Sequence, residues 1–266
     1  MTPLLSVQQH LAPGDTLGER MRAAVAAGFD GVEVADADPA RLPELEAARR
    51  EGGGVIPTSC PPADGHLADF DPAARRRALD RLRRQLDGIA ALGGHGVIAP
   101  AAWGMWTNRL PPFDPPPRTP EEDREVLVEQ LGALGEHAER AGALILLEPL
   151  NRYEDHMVNT VAQAAEVVRA TGSRAVRVLA DTYHMNIEED DVCAALRAGA
   201  AVLGAVHLSD SNRHQPGTGH VPFGEVIATL RDAGFTGTLS VECRMRGELG
   251  PSLTACGAYL RGLLGG

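Results

Sequence analysis

The chain has 266 residues, 44% of them hydrophobic and 23% charged, and a net charge of −11; that is room for one large core and too little for two comfortable domains. The acidic balance argues against a nucleic-acid partner, which would require a concentrated basic patch. The four cysteines, Cys60, Cys193, Cys243 and Cys256, lie far apart without a CxxC pair, so neither a disulfide framework nor a zinc knuckle is expected.

No apolar run approaches the roughly 18 residues of a membrane helix. The segment from Met1 lacks a basic region followed by a long apolar stretch, so no signal peptide is expected. The expectation is a cytoplasmic protein with no membrane partner.

Short apolar runs alternate with helical patterns along the whole chain. The runs are Leu4–Val7, Gly31–Val34, Val55–Cys60, Gly96–Pro100, Ala143–Glu148, Val176–Asp181, Leu203–Leu208 and Thr238–Glu242. After the third run, Leu79, Leu82, Leu86 and Ile89 share one helical face, and the arginines between Arg75 and Arg84 mostly fill the rest. After the fourth, Leu127, Leu131, Leu134 and Ala138 form a similar stripe. Gly28, Gly93, Gly142 and Gly234 sit where helices should stop.

Eight strands alternating with helices predict a parallel sheet in an α/β protein, and eight is the number that closes into a barrel. The expected architecture is a single (β/α)8 TIM-barrel domain over residues 1–266. A doubly wound open sheet is the rival, weakened because no Gly-rich fingerprint follows the first strand. One irregular insertion, residues 101–119, carries Trp103, Trp106, Phe113 and five prolines. A loop of that length in a compact barrel reads as a lid or pocket wall, or as a rigid surface crossover.

Four polar residues end the last four strands: Glu148, Asp181, His207 and Glu242, at intervals of 33, 26 and 35 residues. Each interval is about one βα unit of a barrel. Equivalent positions on neighbouring strands converge at the C-terminal mouth, where this fold places active sites. A carboxylate ending an apolar strand is costly unless paired or metal-bound. Three carboxylates and one imidazole make a hard, oxygen-rich set that suits one divalent metal. Mn²⁺ is the first expectation; Mg²⁺ or Co²⁺ would be tolerated, and Zn²⁺ fits less well. Glu154, His184 and Arg213 lie close by in sequence and can reach a substrate, although solvent exposure, helix capping and pairing with Asp210 are competing roles. Glu33 can also reach the mouth, or form an ion pair there. The run Pro216-Gly-Thr-Gly-His220 leaves phosphate binding open, since shaping a turn explains it equally well.

These segments resemble the xylose-isomerase-like barrel superfamily, especially its ketose 3-epimerases and hydroxypyruvate isomerases. The resemblance is carried by Glu148-Pro-Leu-Asn-Arg-Tyr-Glu154, Asp181-Thr-Tyr-His184-Met-Asn, His207-Leu-Ser-Asp-Ser-Asn-Arg213, Pro216-Gly-Thr-Gly-His-Val-Pro-Phe and Phe235-Thr-Gly-Thr-Leu-Ser-Val-Glu242. It spans residues 143–246; the first half is similar only in its strand–helix rhythm. It implies that Glu148, Asp181, His207 and Glu242 are metal ligands and that Glu148 and Glu242 double as the acid/base pair. It further implies that Glu154, His184 and Arg213 bind a sugar, with Trp103 and Trp106 as candidates from the insertion. A homo-oligomer, dimer or tetramer, would be usual for such relatives.

A metal chelating a carbonyl and its neighbouring hydroxyl stabilises an enediolate, so a nearby carboxylate can remove the proton between them. The expected activity is a metal-dependent sugar isomerase or epimerase acting on a ketose or related keto-sugar. A lyase of the same superfamily, of inosose or dehydroshikimate dehydratase type or a glycoside-cleaving subunit, uses the same half-reaction. An apurinic-endonuclease-like phosphodiesterase would need further histidines at earlier strand ends, where Thr58-Ser59-Cys60 and Ala99-Pro100-Ala101 supply none. A non-catalytic sugar-binding barrel would have no need of the intact quartet.

Overall fold

The computed structural model describes residues 2–106 and 115–265. Its eight strands are β1 (Leu4–Gln8), β2 (Gly31–Glu33), β3 (Thr58–Ser59), β4 (Gly96–Pro100), β5 (Leu144–Glu148), β6 (Val176–Asp181), β7 (Leu203–Leu208) and β8 (Thr238–Val241). All pairings are parallel, in the order β2-β1-β8-β7-β6-β5-β4-β3. Isolated parallel bridges from Gly31 to Val55 and from Val34 to Ser59 join the two ends. The sheet is therefore a nearly closed barrel of the expected α/β type. At the seam, a Cβ on Gly31 would collide with the Val55 carbonyl, so only glycine permits this approach.

The third strand is shorter than the predicted Val55–Cys60. Pro57 lies inside that run and has no N–H for the ladder. Its carbonyl instead accepts from the N–H groups of His95 and Gly96. Glu242 falls just past β8, one residue beyond the ladder.

The principal helices are α1 (Leu17–Ala26), α2 (Leu42–Gly52), α3 (Pro72–Ala91), α4 (Pro120–Ala141) and α5 (Val161–Ala170), followed by α6 (Thr182–Glu188), α7 (Val192–Gly199), α8 (Phe223–Asp232) and α9 (Leu249–Leu264). Capping boxes start α1 at Thr16 and Glu19, α4 at Thr119 and Glu122, and α5 at Thr160 and Gln163. Each box satisfies two backbone donors that the first turn leaves open. The apolar stripe of α4 is buried as its spacing predicts, and α3 buries Ala74, Ala78, Leu82, Leu86 and Ile89. Gly28, Gly93, Gly142 and Gly234 all take positive φ.

Side chains alternate in and out along each strand. Ile98, Leu146, Leu179 and Ala205 form a separate small apolar cluster. Two residues further along β5, β6 and β7 stand Glu148, Asp181 and His207. The alternation that fills the barrel with apolar side chains thus delivers polar ones to its C-terminal rim. Among the described residues, no helix is long and apolar enough to cross a membrane.

Candidate active site

The four strand-end residues converge as their spacing predicts. One ligand atom from each of Glu148, Asp181, His207 and Glu242 lies within 4.8 Å of all the others. Nδ1 of His207 stands 3.0 Å from Oε2 of Glu242 and 3.3 Å from Oε1 of Glu148. Neither Nδ1 of His207 nor Oε1 of Glu148 has an aligned hydrogen-bond partner, although both are buried. The atoms are close yet not bonded to one another.

A ring of second contacts holds the quartet. Nε2 of His207 faces Oε2 of Glu33 at 3.2 Å. Glu33 also accepts from Oγ1 of Thr58 at 2.7 Å and Nε2 of Gln8 at 3.0 Å. The same Gln8 nitrogen donates to Oε1 of Glu242 at 2.8 Å. Asp181 is the N-cap of α6, its Oδ1 accepting from the Tyr183 N–H at 2.7 Å. Its other oxygen takes the Arg213 guanidinium at 2.7 Å, and a second Arg213 nitrogen reaches Oε2 of Glu242 at 3.0 Å. Arg213 stacks over the Tyr183 ring at 4.7 Å. Its φ of 59° is unusual for a residue with a Cβ. The backbone strain is offset by the pairing it makes possible.

Arg213 therefore pairs with the quartet and not with Asp210. The Asp210 carboxylate accepts backbone N–H groups from Ser211, Gly217, Thr218 and Val221, at 2.8 to 3.1 Å. The Pro216-Gly-Thr-Gly turn is thus wrapped around an internal carboxylate. A Cβ on Gly219 would overlap the Asp210 side chain.

Nδ1 of His184 accepts from the Asn151 N–H at 3.1 Å. The proton of the neutral ring is then on Nε2, 3.7 Å from Oδ2 of Asp181. Glu154 accepts from Nδ2 of Asn151 at 2.9 Å and from the Trp103 indole N–H at 3.2 Å. Asn151 thus orders two of the candidate sugar-binding residues, His184 and Glu154. Glu154, His184, Arg213 and Trp103 all line one cavity with Glu148 and Glu242. Trp106 is half-buried in the same insertion. Phe113, Pro111 and Pro112 fall outside the described residues. Where the insertion rejoins α4, Arg118 pairs with Asp123 at 2.6 Å and donates to the carbonyl of Ala68.

The charges of these groups decide their protonation. Burial works against the His207 imidazolium, but Glu33, Glu242 and Glu148 outweigh it and hold the ring well above its ordinary pKa. Burial pushes the Glu148 carboxyl up, partly offset by His207. Burial also opposes the Glu242 carboxylate, yet His207, Arg213 and Gln8 hold it well below the usual range.

A family model described as a xylose isomerase-like TIM barrel matches residues 21–258. The chain belongs to the xylose isomerase-like TIM barrel family. Within this family it is 39% identical over 231 residues to a 3-dehydro-D-guloside 4-epimerase of Escherichia coli, covering 86% of this chain and 88% of that protein. It is 32% identical to a D-psicose 3-epimerase of Agrobacterium fabrum over 81% of this chain and 75% of that one. Among solved structures, an apo 3-keto-D-glucoside 4-epimerase from E. coli superposes with a TM-score of 0.91 at 36% identity, over 98% of this chain and 99% of that one. A D-psicose 3-epimerase from Clostridium cellulolyticum with D-tagatose gives 0.82 at 25% identity, with 99% of each chain covered. The chain is thus related to sugar epimerases over nearly all of its length.

The quartet of this xylose isomerase-like barrel fits a divalent cation. Ligand atoms about 2.1 Å from a common ion stand about 3 Å apart along an octahedral edge, which matches the contacts of His207 Nδ1. Four carboxylates, counting Glu33, face one guanidinium and one imidazole, an excess of buried negative charge that a dication would neutralise. Glu33 behind His207 is the carboxylate–histidine arrangement that orients a ligating ring.

Gln8, Thr58 and Asn151 were not singled out from the sequence. Gln8 ends β1 in register with Glu33, so strand parity counted around all eight strands would have found it. Asn151 carried no such signal, because its position depends on the turn after β5.

Proposed function

We propose that the protein is a metal-dependent epimerase that inverts a carbon next to the carbonyl of a ketose or related keto-sugar. The observation that carries this reading is the convergence of two carboxylates, Glu148 and Glu242, on one imidazole at the mouth of the barrel. Its relatives include a 3-dehydro-D-guloside 4-epimerase and several ketose 3-epimerases. Both activities invert a carbon adjacent to a carbonyl, so one proton-transfer apparatus serves either.

Glu148, Asp181, His207 and Glu242 would hold the cation, with Mn²⁺ favoured by the oxygen-rich donor set and Mg²⁺ or Co²⁺ as substitutes. A bound dication would supply Lewis-acid polarisation of the carbonyl and its neighbouring hydroxyl, stabilising the enediolate. Glu148 and Glu242 take the roles of proton donor and acceptor at the inverted carbon, one on each face of the sugar. Arg213 and His184 orient the oxygens beside that carbon, and Glu154 holds a hydroxyl further along the sugar. Trp103 and Trp106, with the rest of the 101–119 segment, form a wall of the pocket. On this reading residues 1–266 act as one catalytic domain in the cytoplasm, and the chain assembles as a homo-oligomer.

The test is incubation with Mn²⁺ in D₂O across ketoses, ketose phosphates and keto-glycosides. Deuterium entering a carbon adjacent to the carbonyl, with a stereoisomer as product, is the expected result. Release of water or of an aglycone would make the protein a lyase instead. No exchange with any member of the panel would sink the reading.

A further inference from the structure

Most arginines of α3 are engaged by neighbouring oxygens. Arg75 donates to the Asp69 carbonyl at 2.6 Å, and Arg84 pairs with Asp38 at 2.9 Å. Arg77 stands 3.6 Å from Asp64, and Arg83 stands 3.3 Å from Asp80. Arg81 differs from these. It is half-buried and lines the cavity over the quartet. Among the described residues its guanidinium makes no hydrogen bond or ion pair. Ala78, three residues earlier and on the same side of the helix, lines the cavity as well. Its methyl group takes up little of the space beside the Arg81 chain.

Two other polar residues border this end of the cavity, Asp64 and His66. The Asp64 charge is already answered by Arg77, which leaves that of Arg81 uncompensated. The His66 ring makes no hydrogen bond among the described residues. Burial lowers its pKa, against an opposing pull from Asp69. At neutral pH the ring is therefore uncharged and offers one N–H. The opposite end is unlike this one, since Arg213 is there paired with both Asp181 and Glu242.

We propose that the substrate is a sugar acid, and that Arg81, with His66 beside it, binds a carboxylate at the end of the molecule remote from the reacting carbon. The proposal rests on the epimerase reading above and adds a charged group to its substrate. A half-buried guanidinium has given up part of its water without gaining a partner. A carboxylate restores what was lost, because its two oxygens match the guanidinium fork with two parallel hydrogen bonds. A neutral hydroxyl supplies one weaker bond. The cavity encloses about 430 Å³, within the range of about 300–1,000 Å³ that takes ligands larger than a single sugar ring. One guanidinium and a neutral imidazole balance a single negative charge. A phosphate ester, with a charge of about −1.5 to −2 at neutral pH, would be left under-compensated.

The test is calorimetric binding of D-fructuronate, D-fructose 6-phosphate and D-fructose to the protein in Mn²⁺. The uronate is expected to bind about tenfold to a hundredfold tighter than the neutral sugar, and tighter than the phosphate. In Arg81→Gln its affinity is expected to fall to that of D-fructose, whose own affinity stays the same. A uronate preference that survives in this variant would put the carboxylate elsewhere and overturn the proposal. Equal affinities of the uronate and D-fructose in the unsubstituted protein would overturn it too, and a preference for the phosphate would reject the carboxylate. Phenylglyoxal labelling of the unsubstituted protein, read by mass spectrometry, decides the point if the variant does not fold. D-Fructuronate, and not D-fructose, is expected to protect Arg81; equal labelling with the two sugars counts against the assignment. Deuterium exchange is scored separately. Exchange with neutral ketoses and no uronate preference counts against the acid subsite alone. An Arg81-dependent preference without exchange in any sugar counts against the epimerase reading and leaves the subsite assigned.

Discussion

Glu33 faces Nε2 of His207 at 3.2 Å, on the side of the ring opposite Glu148 and Glu242. The imidazole is thereby held between carboxylates contributed by both halves of the barrel. Replacing Glu33 with Gln keeps the shape but removes the charge that fixes the ring. Metal affinity is expected to fall about tenfold to a hundredfold, measured by Mn²⁺ titration. An unchanged affinity would show that Glu33 plays no part in orienting His207.

Glu242→Gln is expected to lower turnover by about a hundredfold to ten-thousandfold, with metal binding weakened as well. Glu148→Gln should behave similarly. Single-turnover measurements at saturating Mn²⁺ separate the two losses, and full activity in either variant would rule out its proton-transfer role.

Metal-free protein should lose stability on the alkaline side. His207 has a folded pKa above its ordinary 6.5, and Glu148 one above its ordinary 4.5. A raised pKa gives stabilisation that is full below the unfolded value and lost as pH rises through the folded one. Metal binding needs the deprotonated forms, so affinity rises over the same range. The melting temperatures of Mn²⁺-loaded and metal-free protein should therefore diverge as pH rises above 6.5, the ordinary value of the His207 ring. A constant gap across that range would contradict the arrangement.

Cys243 and Cys256 are buried, and desolvation pushes both thiols up to about 12. Desolvation also raises Cys60, helped by the carboxylates of Glu242 and Glu33. All three should alkylate slowly in native protein at neutral pH, because the thiolate is the reactive form. Iodoacetamide labelling followed by mass spectrometry, with and without urea, reads this directly.

Asp155 is fully buried and accepts from the N–H groups of Ala102 and Met157 at 2.8 and 2.7 Å. It fixes the start of the 101–119 insertion to the loop that carries Glu154. Asp155→Ala leaves both donors unsatisfied and should cost about 2 kcal/mol, visible as a lower denaturation midpoint. Binding of sugars through Glu154 should weaken with it.

The strand–helix rhythm and the convergence of the four strand-end residues were legible in the sequence because barrel strands repeat at a fixed interval and alternate at a period of two. Parity alone places Glu148, Asp181 and His207 on one rim. The shortening of β3 was less visible, since it depends on Pro57 meeting a ladder whose partner strand is distant in sequence. The pairing of Arg213 with Asp181 and Glu242 was hidden for another reason. It requires a left-handed backbone at Arg213, while nearby Asp210, the obvious partner, is already occupied by the N–H groups of its own turn.

Gln8 touches both Glu33 and Glu242, and the second of these lies 234 positions away. That single amide spans the junction of the first and last strands, so the pocket cannot be finished while β8 is still missing. During synthesis, β1 must wait for nearly the whole chain to emerge before its glutamine finds its final partner. Such a long separation makes closure a late event in folding. If the quartet holds a cation as proposed, its capture would be a property of the completed barrel, and uptake of Mn²⁺ during refolding would report the docking of the last strand.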